Sequence, residues 1–289
     1  MSAAAPSRIA FAGERGSFAE DAVLAYAPGA EACPVAGFRE VFEAVSNGGG
    51  LAAGVLPIEN LVNGTVREVY DLLLEHGLII VGEVIVPVRL CFAALPGETV
   101  ESISTVYSHI QALGQAEAFL RSQPWSLLTT YNTAGSGRMI AERRERGAAA
   151  VLSPRAAAVF GLEVLVPDIQ TEPLNRTRFL VVTRPGLAAP PEAPAPADSR
   201  PRRTTLAMTV RNEPGSLHRC LGVLKDAGLN MDKLESRPSR SRAWEYVFWI
   251  DADADLREPR VQAAFQDLEA ASSTLRLLGS YAKAEEPAP

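Results

Sequence analysis

The sequence predicts an α/β chain in three parts, two doubly wound lobes and a smaller ferredoxin-like βαββαβ domain. Three observations predict it. Short apolar, β-branched runs alternate with amphipathic stretches from Arg8 to Arg184, at the spacing of strand–helix crossovers. A Pro/Ala-rich stretch without apolar periodicity, Gly186 to Pro201, then breaks the pattern and reads as a semi-stiff linker. Beyond it, residues 204–282 read strand, helix, strand, strand, helix, strand, the order of the split βαβ motif.

Bulk properties bound the function. With 289 residues, 47% hydrophobic and 21% charged, the chain is globular and large enough for several cores. A net charge of -6 without a basic block argues against nucleic acid as a partner. The most apolar region, Leu78 to Leu95, is interrupted by Glu83, Pro87 and Arg89, so it reads as strands and not as a membrane span. Cys33, Cys91 and Cys220 are odd in number and lack metal-ligand spacing, which predicts free thiols, no metal and a reducing, cytoplasmic setting.

Arg8 to Ala12 is a short strand. The Gly13-Glu14-Arg15-Gly16 loop turns sharply, and Ser17 opens a helix with Glu20 completing a capping box. Phe38 to Asn47 is a helix with Val41, Phe42 and Val45 inward. Gly54 to Ile58 is a strand that empties into Glu59-Asn60 and a glycine turn, ahead of a helix carrying Val66, Val69, Tyr70 and Leu73. Polar side chains at such a carboxyl edge sit where open α/β sheets bind ligands. Past Val81 the pattern repeats. Ser104 to Tyr107 is a strand, and Ser108 caps the next helix with Gln111 as its box partner and Gln115 two turns from Ser108 on the same face. Leu127 to Tyr131 is a strand, and Asn132 to Ser136 lead into a helix with Met139 and Ile140 inward. Ala149 to Leu152 leads to Ser153-Pro154, an N-cap with proline at the first helical position. Gly161 to Ile169 is irregular strand, and the polar turn from Asn175 runs into the buried strand Phe179 to Val182. Ser17, Ser108, Thr133 and Ser153 each sit at a strand-to-helix switch. A simple cap is the ordinary reading of each; converging on one crevice, they would make a pocket of N–H and O–H donors for a small dianion.

In the C-terminal domain Thr204 to Val210 is a strand, and Gly215 to Ala227 is a helix with Leu217, Leu221 and Leu224 on one face. Met231 to Glu235 and Trp244 to Ile250 are strands, Pro259 to Ala271 is a helix, and Thr274 to Tyr281 is the last strand.

Several of these segments carry a family resemblance. Pro57-Ile58-Glu59-Asn60, Ser108-His109-Ile110-Gln111 and Thr177-Arg178-Phe179 resemble, in order, signature segments of prephenate dehydratases. Leu61 stands where that family usually has Ser, and Ile110 where it has Pro. Asn212-Glu213-Pro214-Gly215-Ser216-Leu217 and Glu235-Ser236-Arg237-Pro238 resemble the phenylalanine-binding ACT domain attached to these enzymes. His109 is assigned a packing or hydrogen-bonding role at its helix end, since no partner spacing supports a triad.

The resemblance implies a two-lobed, periplasmic-binding-protein-like catalytic domain over residues 8–184. One lobe would hold 8–84 and 178–184 and the other 85–177, followed by a linker over 185–203 and an ACT domain over 204–282. It implies decarboxylating dehydration of prephenate to phenylpyruvate without metal or organic cofactor. Thr177, flanked by Arg178 and Phe179, is the implied donor to the leaving hydroxyl. Arg178 and the caps Ser17, Ser108, Thr133 and Ser153 would hold the substrate side-chain carboxylate. Asn60 and Gln115 would fix its orientation, and Glu59 and Gln111 complete the substrate site. Phenylalanine is the implied effector, an inhibitor bound by Asn212, Gly215, Ser216 and Leu217 against Leu229 and Asn230 of a second copy, with Glu235, Ser236, Arg237 and Pro238 lining the site. That arrangement needs a homo-oligomer, dimer or tetramer. A start directly on a strand implies no fused chorismate mutase. Two alternatives stand beside this reading: arogenate as substrate, with an amino acid side chain in place of the keto acid, and a non-catalytic sensor built on the same cleft. A pure binder has no need of a donor at the leaving group, which disfavours the sensor.

Overall fold

The computed structural model describes residues 6–187, 190, 200–239 and 245–286. The chain opens with β1 (Arg8–Ala12), α1 (Phe18–Tyr26), β2 (Glu31–Val35), α2 (Phe38–Ser46), β3 (Ala53–Asn60), β4 (Gly64–Thr65), α3 (Arg67–His76) and β5 (Ile79–Pro87). A second lobe holds β6 (Cys91–Ala94), β7 (Thr105–Ser108), α4 (Ile110–Gln115), α5 (Glu117–Leu120), β8 (Ser126–Thr129), α6 (Thr133–Arg143), β9 (Ala148–Leu152), α7 (Pro154–Val159) and β10 (Glu163–Val166). The chain then returns to the first lobe as β11 (Arg176–Thr183), giving a sheet ordered β2-β1-β3-β11-β5 with β4 paired on β3.

The apolar run of β11 explains that placement. The strand lies antiparallel between β3 and β5 and is covered on both faces. Phe179 and Val181 enter one core with Phe11, Val23 and Tyr26, and Leu180 and Val182 enter another with Phe42, Leu56 and Leu73. Such two-sided burial requires a continuous hydrophobic run. Because β5 and β11 belong to this sheet along their whole lengths, residues 85–87 and 176–177, expected in the second lobe, sit in the first. The second sheet is ordered β10-β6-β9-β7-β8. Its core is pinned by Phe92, which stacks on Trp125 with ring centroids 4.5 Å apart.

The C-terminal domain is β12 (Arg202–Thr209), α8 (Ser216–Asp226), β13 (Met231–Pro238), β14 (Tyr246–Asp253), α9 (Pro259–Ala271) and β15 (Thr274–Ala282), with an antiparallel sheet ordered β13-β14-β12-β15. This is the ferredoxin-like order. Alternation sends Leu206, Met208 and Ile250 into a core under α8 and α9, while Ala207, Trp249, Leu278 and Tyr281 join the core of the first lobe. Trp249 meets Tyr70 of α3 edge-on at 4.5 Å. Gly279 is needed where β15 crosses β5, since a Cβ there would overlap the Ile80 carbonyl. The expected Pro/Ala linker falls largely outside the described residues, as does the expected strand start at Trp244. Among the described residues no helix is long and apolar enough to cross a membrane, no His/Cys/Asp/Glu group could hold a metal ion, and all three cysteines are free.

Candidate active site

A cavity of about 420 Å³ opens between the two lobes. Its floor is β3 and β11. Thr177 lies directly opposite Asn60 in the strand register, and both line the cavity with Phe179. The Asn60 side chain has a fixed orientation, because its Oδ1 accepts from the backbone N–H of Val62 at 3.1 Å and of Asn63 at 2.9 Å. Its amide nitrogen must then face the other way, where it lies 2.9 Å from the acceptors Asn175 Oδ1 and Thr177 Oγ1 and 3.1 Å from the Arg176 carbonyl. Thr177 therefore accepts from Asn60, and its own proton is turned away from Asn60. Among the described residues no acceptor takes that proton, and the cavity lies before it.

The walls are helix starts. Ser17 caps α1 by accepting from the Glu20 N–H at 3.4 Å, and Ser153 caps α7 by accepting from the Ala156 N–H at 3.0 Å. Asn132 caps α6, accepting from Ala134 and Gly135 at 2.9 and 3.0 Å. All three caps line the cavity, so three positive helix ends converge on it. Ser153 also donates to the Gly16 carbonyl at 2.7 Å, joining the lobes. Gln111, Gln115 and Thr133 line the second-lobe wall. Among the described residues no lining side chain is ionisable; the polar ones are Ser, Thr, Asn and Gln.

The structure thus brings Ser17, Asn60, Gln111, Gln115, Thr133, Ser153, Thr177 and Phe179 together. It separates the others. Ser108 ends β7 fully buried, donating to the Val151 carbonyl at 2.6 Å, and His109 is the cap instead, with Nδ1 accepting from the Gln111 N–H at 3.4 Å. A cap needs an extended residue just before the helix, and β7 ends one residue later than expected, at Ser108. Thr133 is the first residue inside α6 and not its cap. The Glu20 carboxylate does not close a box on Ser17; it accepts from the Gly16 N–H at 2.7 Å and pairs with Arg155 at 3.2 Å. Arg178 and Glu59 point away from the cleft, since residues next to inward-facing Thr177 and Asn60 on a strand must face the opposite side. Asn132, Asn63 and Thr65 line the site without having been singled out. The signal for Asn132 was present, because Asn directly before an apolar helix is a strong N-cap.

In the C-terminal domain Asn212, Gly215, Ser216 and Leu217 line a cavity of about 300 Å³ with Tyr246 and Phe248. Leu229 and Asn230 follow the far end of α8, away from it in the same chain. Glu235 and Arg237 are turned to the catalytic lobe. Thr65 donates to Glu235 at 2.8 Å, and Arg237 donates to the Arg67 carbonyl at 2.8 Å. Ser236 is exposed on the strand face opposite Glu235 and Arg237, and Pro238 lines a cavity against α3. The period of a strand cannot keep four consecutive residues on one site.

Fold and cleft together define a class: a two-lobed enzyme for a small carboxylate, with a C-terminal domain of the ACT type. Residues 9–186 match the prephenate dehydratase family and residues 204–270 the ACT domain family. The chain is 36% identical over 283 residues to an arogenate dehydratase/prephenate dehydratase 2 of Arabidopsis thaliana, covering 95% of this chain and 72% of the relative. It superposes on the prephenate dehydratase of Arthrobacter aurescens in complex with L-Phe with a TM-score of 0.82 and 30% identity, covering 98% and 92% of the two chains. It superposes on GqqA, described as a novel type of quorum quenching acylase, with a TM-score of 0.84 and 30% identity, covering 96% and 98%. The chain belongs to the prephenate dehydratase family, lyases that combine decarboxylation with dehydration, and it carries the ACT domain of that family.

Proposed function

We propose that this chain converts prephenate to phenylpyruvate under control of phenylalanine. The observation that carries the reading is the directed Thr177 hydroxyl, oriented by Asn60 toward a cleft of neutral donors and helix ends. The reaction breaks two bonds. The ring carboxylate leaves as carbon dioxide, its bonding pair enters the ring, and the C4 hydroxyl leaves as hydroxide, which takes up a proton from solvent to become water. Aromatisation drives the step, so the barrier lies in expelling the hydroxyl. A fixed O–H donor at that oxygen stabilises the charge as it develops. Ser17, Asn132, Ser153 and the N–H groups they cap receive the carboxylates, and Gln111 and Gln115 hold the side chain in place.

The same lining supports prephenate over arogenate. Arogenate carries an ammonium, which gains most from a carboxylate partner, and none lines the cavity among the described residues. An acylase reading gains nothing from this site, because a hydroxyl nucleophile needs a base and the described lining residues include no imidazole, carboxylate or amine. Phenylalanine is assigned to the cavity at the start of α8. Among the described strands β13 is an edge of its sheet, which supports pairing with a second copy that would bring Leu229 and Asn230 to that cavity. Free thiols fit a reducing compartment such as the cytoplasm. Purified protein assayed with both substrates is expected to show kcat/KM for prephenate at least about tenfold above that for arogenate. The reverse order would make arogenate the substrate, and turnover of neither would end the dehydratase reading.

A further inference from the structure

Two strands present the signature segments on two faces. Asn60 opposite Thr177 faces the cleft, and Glu59 opposite Arg178 faces the ACT sheet. On that side the Arg178 side chain, 13% exposed, meets three carboxylates: Glu59 at 3.4 Å, Glu83 at 3.2 Å and Asp251 at 2.7 Å. Asp251 belongs to β14 of the ACT sheet. Its other oxygen accepts from Thr205 at 2.7 Å, and the Thr205 hydroxyl is 2.7 Å from that of Tyr281. Arg203 of β12 holds Glu83 at 2.5 Å. A second contact runs in parallel, with Lys233 of β13 paired to Glu59 at 3.2 Å and Glu235 accepting from cleft-lining Thr65 at 2.8 Å. Charges buried in this way are tolerated only with their partners in place, so Arg178 follows the ACT sheet if that sheet moves.

The structure assigns Arg178 the role of a positioning residue: through Asp251 it ties the reacting Thr177–Asn60 pair to the ACT sheet, so that the state of the ACT domain sets the placement of the proton donor. This rests on the proposed role of Thr177. Arginine is suited to the task, because its planar fork bridges several carboxylates at once where an ammonium is a single point charge. Phenylalanine, by favouring one placement of the ACT sheet, would change turnover through this contact without touching substrate.

The test uses the full-length chain and the variants Arg178→Lys, Asp251→Asn and their combination. Each single variant is expected to lower kcat about tenfold and leave KM within about twofold, and the double variant to be no worse than the weaker single one. Calorimetry should find phenylalanine bound with affinity within about threefold of wild type, while its effect on turnover falls at least about fivefold. A large rise in KM at unchanged kcat would make Arg178 a substrate ligand and overturn the assignment, as would additive losses or an undiminished phenylalanine response. Should Arg178→Lys not fold, Asp251→Asn carries the same kcat, KM and phenylalanine readouts from the other end. A wild type that turns over prephenate but ignores phenylalanine would refute the regulatory reading, and the kcat losses would still decide the positioning role. If the wild type turned over neither substrate, amide exchange over residues 176–180 would decide. Protection in Asp251→Asn equal to wild type would overturn the link, and faster exchange there would support it.

Discussion

The direction of one hydrogen bond decides what Thr177 can do. Thr177→Val keeps the shape and removes the donor, and kcat is expected to fall a few hundredfold, ~3 kcal/mol of transition-state stabilisation, with a smaller change in substrate binding. Asn60→Asp is the sharper probe. One carboxylate oxygen can still accept from Val62 and Asn63, but the other now accepts from Thr177, drawing its proton out of the cleft. Its kcat should fall about as far as that of Thr177→Val, and an Asn60→Asp enzyme with near-normal kcat would show that Thr177 is not the donor. With no ionisable side chain lining the cleft among the described residues, wild-type kcat/KM should stay nearly flat from about pH 6 to about pH 9, and a steep limb in that range would point to a titrating group in the cleft. Residue types at this scale were legible in the sequence, and their facing was not. Thr177-Arg178 reads as one polar pair on paper, yet a strand turns its two members to opposite faces, one to the cleft and one to the ACT sheet.

Elements place the anion-binding groups by meeting end to end across the cleft. The start of α1 abuts the start of α7, and Gly16 is the hinge of that contact, at φ +80° with Ala156 Cα only 2.6 Å from where a Cβ would lie. Gly16→Ala would strain the backbone and force the two helix starts apart. We expect KM to rise at least about tenfold and Tm to fall by several degrees, about 1–2 kcal/mol of backbone strain alone. Unchanged KM would mean that the lobes need not meet there for substrate to bind. Strand–helix alternation and the Ser153-Pro154 cap were readable locally, because caps and periods are local. The role of Glu20 was not, since its partners Gly16 and Arg155 come from both lobes and only the fold brings them together.

At the scale of the whole molecule the ACT sheet is a wall of the first lobe and not a tethered appendage. Its order was legible from six short elements, whereas its docking was not, because Ala207, Trp249 and Tyr281 read in sequence only as the second face of a sheet. The docked face is stitched by charge, which makes it sensitive to acid. Burial alone would raise the Asp251 carboxyl, but Arg178 and Thr205, both bonded to it, hold it below its ordinary 3.8. Asp232, which burial would likewise raise, is brought down to about 2 by Arg203 and Lys283. A depressed folded-state carboxyl stabilises the fold fully above its unfolded value and loses that contribution as pH falls toward its folded value, because the unfolded chain then binds more protons. Wild-type stability should therefore drop as pH falls below about 3.8 toward about 2. Asp251→Asn removes one of these carboxylates. It should be less stable than wild type at pH 7 by about 3 kcal/mol, for a charge pair broken in a buried network, with the gap narrowing as pH falls below about 3.8. Denaturant midpoints at pH 7 and at pH 3 measure the gap directly. An equal gap at both would show that the ionised Asp251 carboxylate is not what holds the ACT sheet against the catalytic lobe.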